Sequence, residues 1–324
     1  MALFVAACEG AIVLQEEALP SLDEGQVRGR TLATGISHGT ELHTLDEQEA
    51  GGPPRKLGYS AVGEVSEVGS AVEQVRPGDL VFAYAPHGSA FQVPESACYA
   101  LPPGVSPERG QFLALMCVAY NGIMEARMTL GETVVVFGLG AVGQLTCQLA
   151  RRAGARRVIG VDPLERRREV ARRAGADGVI DPGSGDLAEA FKALNDGEEA
   201  DVAIETSGAI GGLNGAFLVL REQCEVIALS WYPSSAEGLK LNRDFHYKRL
   251  KIRVAQSRSV HPELSPRWTH ARRVRTAAEM LPELQLEELI THRMGIERAD
   301  EAYRLLREHP EQVIQIVFTY NGAH

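Results

Sequence analysis

Between residue 130 and about residue 257 the apolar pattern alternates between two periods. Short runs rich in β-branched residues fall at 134–137, 158–161, 178–180, 201–205, 225–229 and 251–255, the length and composition of buried strands. Between them lie stretches of helical spacing, notably 142–153 and 165–174. In the first of these, Val142, Leu145 and Leu149 recur on one face and are expected to meet the sheet. Six strands linked by crossovers predict an α/β doubly wound parallel sheet.

The first 125 or so residues follow another rhythm. Alternating segments at 26–36, 61–68, 80–85 and 91–93 are punctuated by Gly, Pro and Asp, as in Arg76-Pro-Gly-Asp79, and predict a β-rich region with few helices. Beyond residue 260 helical spacing returns at 299–307, and a strand is expected at 313–320. No repeat, long linker or low-complexity tract separates these parts. The simplest organisation inserts a dinucleotide-type domain, 125–259, into a discontinuous second domain, 1–124 with 260–324, leaving a cleft between them.

At 324 residues the chain can bury two substantial cores. Its net charge of −10 argues against nucleic acid or an anionic membrane as main partner, despite arginine clusters at Arg151-Arg152 and Arg166-Arg167-Arg168 on expected helices. The five cysteines are scattered, an odd number without paired spacing. No basic segment precedes the first apolar residues, and the longest apolar run is shorter than the ~18 residues a membrane-spanning helix needs. A cytoplasmic protein acting on a small molecule is expected.

The strand ending at Phe137 runs directly into Gly138-Leu-Gly-Ala141-Val142-Gly143 and then into a helix. In such a motif Gly138 allows the tight turn, Gly140 lets a pyrophosphate approach the backbone, and Gly143 allows close helix–strand packing. The amides of Ala141 and Val142 belong to the helix N-terminus, which favours anions. The next strand ends on Asp162, at the ~20-residue spacing of an acid that accepts the ribose hydroxyls of NAD and repels a 2′-phosphate. NAD(H) is therefore the expected cofactor.

The segments Thr34-Gly-Ile-Ser-His-Gly-Thr-Glu-Leu-His43, Leu57-Gly-Tyr-Ser-Ala-Val-Gly-Glu-Val65 and Pro77-Gly-Asp-Leu-Val81, with the glycine motif, resemble the medium-chain dehydrogenase/reductase superfamily of zinc-type alcohol dehydrogenases. The resemblance covers essentially the whole chain. It implies a GroES-like catalytic domain joined to a Rossmann domain, with the homodimer as the common state. Gly35-Ile-Ser-His-Gly-Thr-Glu41, Asp244-Phe-His-Tyr-Lys-Arg-Leu250 and Leu289-Ile-Thr-His-Arg293 resemble a smaller branch that includes bacteriochlorophyllide dehydrogenases.

Against that pattern, Ser37 stands where a zinc-binding cysteine belongs and Tyr59 where a zinc-binding histidine belongs, while Cys117 alone matches a ligand position. The four-cysteine lobe of many relatives is missing. Hydroxyl and phenol groups are poor Zn²⁺ ligands, so no metal is expected. A relocated site built from His38, Glu41, His43 and Cys117 is the competing possibility.

Without zinc, hydrogen-bond donors must stabilise the developing charge on oxygen and one of them must move a proton. The resemblance points to Tyr59, a general acid or base if its pKa is lowered, or else a buried phenol bonded to a carbonyl. Ser37 accompanies it. Thr40, Glu41 and His43 follow the family's Thr-Asp-x-His order with Gly39 inserted. In relatives the hydroxyl passes a proton on and the histidine relays it, although a solvated loop histidine explains His43 as well. The resemblance places His38 on cofactor phosphate and Arg167 near the adenosine ribose, where a surface charge is the alternative. Thr206 and Ser230, at strand ends, should border the nicotinamide. Trp231 and Tyr232 suit a pocket or a subunit interface, and Tyr120 and Asn121 suit the cleft or ordinary helix packing.

The expected activity is zinc-independent, NAD(H)-dependent interconversion of a secondary alcohol and a ketone on a small, cyclic or polyhydroxylated metabolite. A zinc-free enoyl reductase and a lapsed NAD(H)-binding protein are the rivals.

Overall fold

The computed structural model describes residues 1–232 and 235–320. Two compact units emerge, Met1–Ala114 with Ala271–His324, and Leu115–His270. The second takes in more chain than the expected 125–259. Gly122 packs on the Leu229 side chain, Asn121 donates to the Gln256 carbonyl at 3.3 Å, and Arg127 reaches His261 at 2.9 Å, so both flanks belong with it. Residues 321–324 of the expected outer domain lie outside the described residues.

The first unit opens with a hairpin absent from the expected strands, β1 (Ala2–Cys8) and β2 (Ala11–Glu17). Its two-residue turn places Glu9 and Gly10 at φ 51° and 77°, the geometry that matches strand twist. There follow β3 (Gln26–Gly35), β4 (Arg55–Lys56), β5 (Ala61–Val68), β6 (Leu80–Ala83), β7 (Ala90–Pro94) and β8 (Cys98–Ala100). The expected strands at 26–36, 61–68, 80–85 and 91–93 are therefore found within a residue or two. Residues His38–Glu47, where no helix was expected, form a helix.

The second unit carries β9 (Thr133–Phe137), β10 (Arg157–Val161), β11 (Gly178–Ile180), β12 (Ala200–Glu205), β13 (Leu220–Ala228) and β14 (Lys251–Val254). They pair in parallel in the order β11-β10-β9-β12-β13-β14, the doubly wound order that reverses at β9. All five residues of β9 are buried, as a central strand covered on both faces requires. On the following helix, Ala141–Arg152, Leu145 and Leu149 are buried while Val142 is only half-buried.

The chain returns to the first unit through β15 (Ile290–Gly295), the helix Ala299–Glu308 and β16 (Gln315–Thr319). Ala299, Ala302, Tyr303 and Leu306 form the buried stripe of that helix, at the spacing of an amphipathic face. β16 pairs antiparallel with β3, setting Phe318 opposite Thr34. One core thus joins Val5 and Ile36 to Ile316 and Phe318. Among the described residues no helix is long and apolar enough to cross a membrane.

Gly143 shows how tightly the glycine motif is built, since a Cβ there would lie 1.9 Å from the Gly138 carbonyl oxygen. Gly143→Ala is expected to cost about 1–3 kcal/mol through overpacking, measured as a lower urea midpoint for unfolding.

Candidate functional site

In the second unit the turn after β9 has the conformation that its glycines permit. Gly138 sits at φ 85°, where a Cβ would strike the Ser207 backbone at 2.7 Å. At Gly140 a Cβ would meet nothing closer than Arg167 Nη1, 4.0 Å away, so the backbone here is open to approach. Gly140 also caps the helix Ala141–Arg152, whose first turn receives no side-chain cap. An uncapped helix N-terminus of this kind has the polarity that favours anions.

Asp162 follows β10 nearly fully buried, and its carboxylate already has work inside the unit. Oδ2 accepts from the Leu139 amide at 2.7 Å and Oδ1 from the Leu164 amide at 2.8 Å. Each oxygen keeps a second lone pair. The acid therefore fixes the glycine turn itself. Arg167 is not a surface charge: its guanidinium lies 3.8 Å from Asp162, and burial pulls its pKa down while Asp162 opposes that shift. Gln144, fully buried, donates to the Leu139 and Arg167 carbonyls at 3.0 and 2.8 Å and locks the turn to the next helix.

Thr206 donates to the Gly138 carbonyl at 2.7 Å, so its hydroxyl braces the turn. Beside it, sequence reasoning missed Glu205, a buried carboxylate at the end of β12. It accepts from the Ser207 amide at 2.7 Å, from the Ser207 hydroxyl, and from the Tyr232 hydroxyl at 2.5 Å. Burial raises its pKa and these donors oppose the rise. Tyr232 is thereby tied inward. Ser230 lies against Gly208, its Cβ 3.5 Å from where a Gly208 Cβ would sit. Tyr120 meets Trp268 edge-on at 5.9 Å, so it and Asn121 are explained by packing within the unit.

In the first unit Ser37 caps the helix His38–Glu47 without using its side chain. Instead Glu41 reaches back, and its Oε1 accepts from the Ser37 amide at 2.6 Å. The Ser37 hydroxyl is thus left for Tyr59, which donates to it at 2.6 Å, and it in turn donates to Thr40 Oγ1 at 3.4 Å. The structure brings Tyr59, Ser37 and Thr40 into one chain of hydroxyls. A lowered Tyr59 pKa is overturned: burial pushes it up, the Glu41 charge adds to the rise, and hydrogen bonds with Ser37 and Thr40 oppose it. Tyr59 is held as a phenol. The carbonyl-bonded alternative is also set aside, because its partner is a hydroxyl.

Glu41, 2 % exposed, is a buried hub. Its Oε2 lies 2.9 Å from His87 Nε2 and accepts from the Tyr303 hydroxyl. His87 and Tyr303 carried no sequence signal, because their meeting with Glu41 depends on the tertiary fold. His43 is a helix residue, not a loop one. Its Nε2 lies 3.0 Å from Glu47, which Arg55 also engages and whose pKa those partners lower. His38 opens the helix, half-buried. Gly39, the inserted residue, has nothing within 4 Å of a Cβ position and is absorbed in the first turn.

For a zinc ion the donor set does not fit. Ser37 and Tyr59 bond each other, both Glu41 oxygens are engaged in the core, and His43 serves Glu47. Among the described residues no group of three His, Cys, Asp or Glu side chains that could hold a metal is found.

Two family models match the chain, an alcohol dehydrogenase GroES-like domain over residues 23–148 and a zinc-binding dehydrogenase over residues 141–270. The chain is 35 % identical over 271 residues to a D-guloside 3-dehydrogenase of Escherichia coli (strain K12), covering 82 % of this chain and 77 % of that one. It is 28 % identical to an L-threonine 3-dehydrogenase of Pyrococcus horikoshii, covering 91 % of each. The crystal structure of galactitol-1-phosphate dehydrogenase from Escherichia coli shares the fold, with a TM-score of 0.84, 20 % identity and coverage of 98 % of this chain and 100 % of that one.

Replacing Glu41 by Gln places an amide NH₂ against groups that already donate. The change is expected to cost about 1–3 kcal/mol through unsatisfied buried donors, measured by chemical denaturation.

Proposed function

Because this chain belongs to the zinc-type medium-chain dehydrogenase/reductase superfamily, we propose that it oxidises a secondary hydroxyl of a sugar-like or polyol metabolite to the ketone, with NAD⁺ and without catalytic zinc. It is an oxidoreductase acting on a secondary alcohol. The sugar or polyol class is supported by the D-guloside 3-dehydrogenase likeness. The observation that carries the zinc-free reading is the hydroxyl chain Tyr59–Ser37–Thr40, whose first two members stand where the family resemblance places metal ligands.

The two units divide the labour. In the second, the open backbone at Gly140 and the uncapped first turn of Ala141, Val142 and Gly143 fit a pyrophosphate, with Gly138 holding the turn. Asp162 would take the ribose hydroxyls through its remaining lone pairs, and Arg167 would lie beside them. Thr206 and Ser230 would border the nicotinamide, and His38 would meet phosphate. When bound, NAD⁺ supplies the hydride acceptor. NAD is favoured over NADP because a buried Asp162 would face a 2′-phosphate.

In the first unit the phenol of Tyr59 handles the proton. For ketone reduction the three hydroxyls turn the other way, so that Thr40 gives to Ser37, Ser37 to Tyr59, and Tyr59 to the oxygen that gains charge. During alcohol oxidation the same group must first lose its proton to accept the substrate's. Its raised pKa sets the sign of the pH dependence. The ionised fraction grows tenfold per pH unit below the pKa, so oxidation should accelerate with pH while reduction stays flat. Glu41 holds the helix that presents Ser37, and His43 is a candidate relay at the surface through Glu47.

A panel of methyl glycosides, sugar alcohols and small 1,2-diols, assayed with NAD⁺ and NADP⁺, tests the assignment. NAD⁺ turnover should exceed NADP⁺ turnover and survive dialysis against EDTA. Loss of activity on dialysis that added zinc restores would overturn the zinc-free mechanism. Tyr59→Phe should lower kcat at least tenfold, or ~1.4 kcal/mol of barrier; unchanged kinetics would remove Tyr59 from the mechanism. For oxidation, kcat/KM should rise from pH 7 to 10 without a plateau, and a plateau near pH 7 would assign proton transfer to another group.

A further inference from the structure

His87 lies in the loop between β6 and β7 with no exposed surface. Its main chain is woven into the segment that carries Tyr59. The His87 amide donates to the Leu57 carbonyl at 2.8 Å, and its carbonyl accepts from the Val5 amide at 3.0 Å. The ring lies against the backbone just before Tyr59: a Cβ on Gly58 would fall 2.6 Å from His87 Cδ2 and 2.7 Å from Cγ and Nε2. Gly58, at φ 87°, is thus doubly fixed as glycine, by conformation and by the imidazole.

Both ring nitrogens are engaged. Nε2 lies 2.9 Å from Glu41 Oε2, and Nδ1 lies 2.7 Å from Thr34 Oγ1, which is 2.9 Å from the Tyr320 hydroxyl. A neutral ring protonated on Nε2 satisfies every partner: it donates to the carboxylate and accepts from Thr34, which accepts from Tyr320. Phe318 meets the ring edge-on at 5.1 Å and limits its rotation.

These contacts close a circuit. Gly58 rests on the His87 ring, His87 holds Glu41, Glu41 holds the Ser37 amide, and the Ser37 hydroxyl receives the phenol of Tyr59, the residue after Gly58. Tyr59 and Ser37 sit on separate elements, and their 2.6 Å bond requires those elements to keep a fixed spacing. The imidazole touches both at once.

We propose that His87 is a positioning residue for proton transfer, holding the Gly58–Tyr59 backbone and the Ser37-capped helix at the separation that aligns phenol and hydroxyl; it rests on Tyr59 being the proton donor. It touches neither substrate nor cofactor and acts through Tyr59.

The test makes His87→Ala, His87→Asn and His87→Gln in the full chain, and His87→Ala again with Tyr59→Phe. Each is crystallised, titrated with NADH by fluorescence, and assayed on the most active alcohol of the panel. In His87→Ala the Tyr59–Ser37 bond should open, kcat should fall at least tenfold, and NADH affinity should change less than twofold. His87→Gln, which keeps a donor toward Glu41, should recover at least a third of the lost kcat. His87→Asn keeps the Thr34 side only; it should behave like the alanine variant and replaces it if that fails to fold. In the Tyr59→Phe background the His87 change should cost less than twofold. Retention of the bond in His87→Ala and His87→Asn crystals overturns the proposal whatever the kinetics. Losses that multiply in the double variant overturn it while leaving Tyr59 as donor, whereas an inert Tyr59→Phe removes the donor and His87's role together.

Discussion

The Glu41 carboxylate is the constraint on which the first unit turns. A charge-bearing group removed from water is tolerated only when its lone pairs are met, and here three donors from distant parts of the chain meet them. Ser37 comes from the helix cap, His87 from the loop after β6, and Tyr303 from the amphipathic helix near the end of the chain. Each donor fixes one element relative to the same two oxygens. The hydroxyl chain at Ser37 depends on all of them, because it starts from a helix whose position the carboxylate sets.

The nucleotide unit solves its problem differently, by excluding side chains. Gly143 brings a helix against the Gly138 carbonyl, and Gly138 lets the chain turn where a Cβ would meet Ser207. Polar groups then lock what the glycines allow: Asp162 takes the Leu139 amide, Gln144 takes two carbonyls, and Thr206 takes the Gly138 carbonyl. The conformation of the turn is thus fixed from inside the unit. Substitution at these residues therefore disturbs the turn itself.

What the chain disclosed on inspection was whatever its local pattern determines. Strands β9 to β14 and the helix after the glycines were legible because a contiguous βα repeat writes both period and turn residues into neighbouring positions. The strands at 26–36 and 61–68 were legible for the same reason. The hairpin of β1 and β2 was not, although Glu9-Gly10 suits its turn, since residues 2–8 are apolar throughout and show no strand-like alternation. The helix His38–Glu47 begins with His-Gly-Thr, which has little helical preference, and its stability comes from Glu41 and the core around Leu45. His87 and Tyr303 were illegible in principle: they lie 46 and 262 residues from Glu41, and nothing near either announces the partner. Which way the Tyr59 pKa moves stayed open for the same cause, since it follows from burial that only the assembled fold creates.

The pairing of β16 with β3 bears on how the protein is made. The nucleotide unit is one continuous stretch and can collapse while the ribosome is still adding residues. The first unit cannot, because its central strand waits for a neighbour encoded almost three hundred positions later (Thr34 opposite Phe318). Until that strand emerges, an edge of β3 and the apolar face around Ile36 stay uncovered. During synthesis this is the vulnerable half, where chaperone capture or premature termination would be felt first.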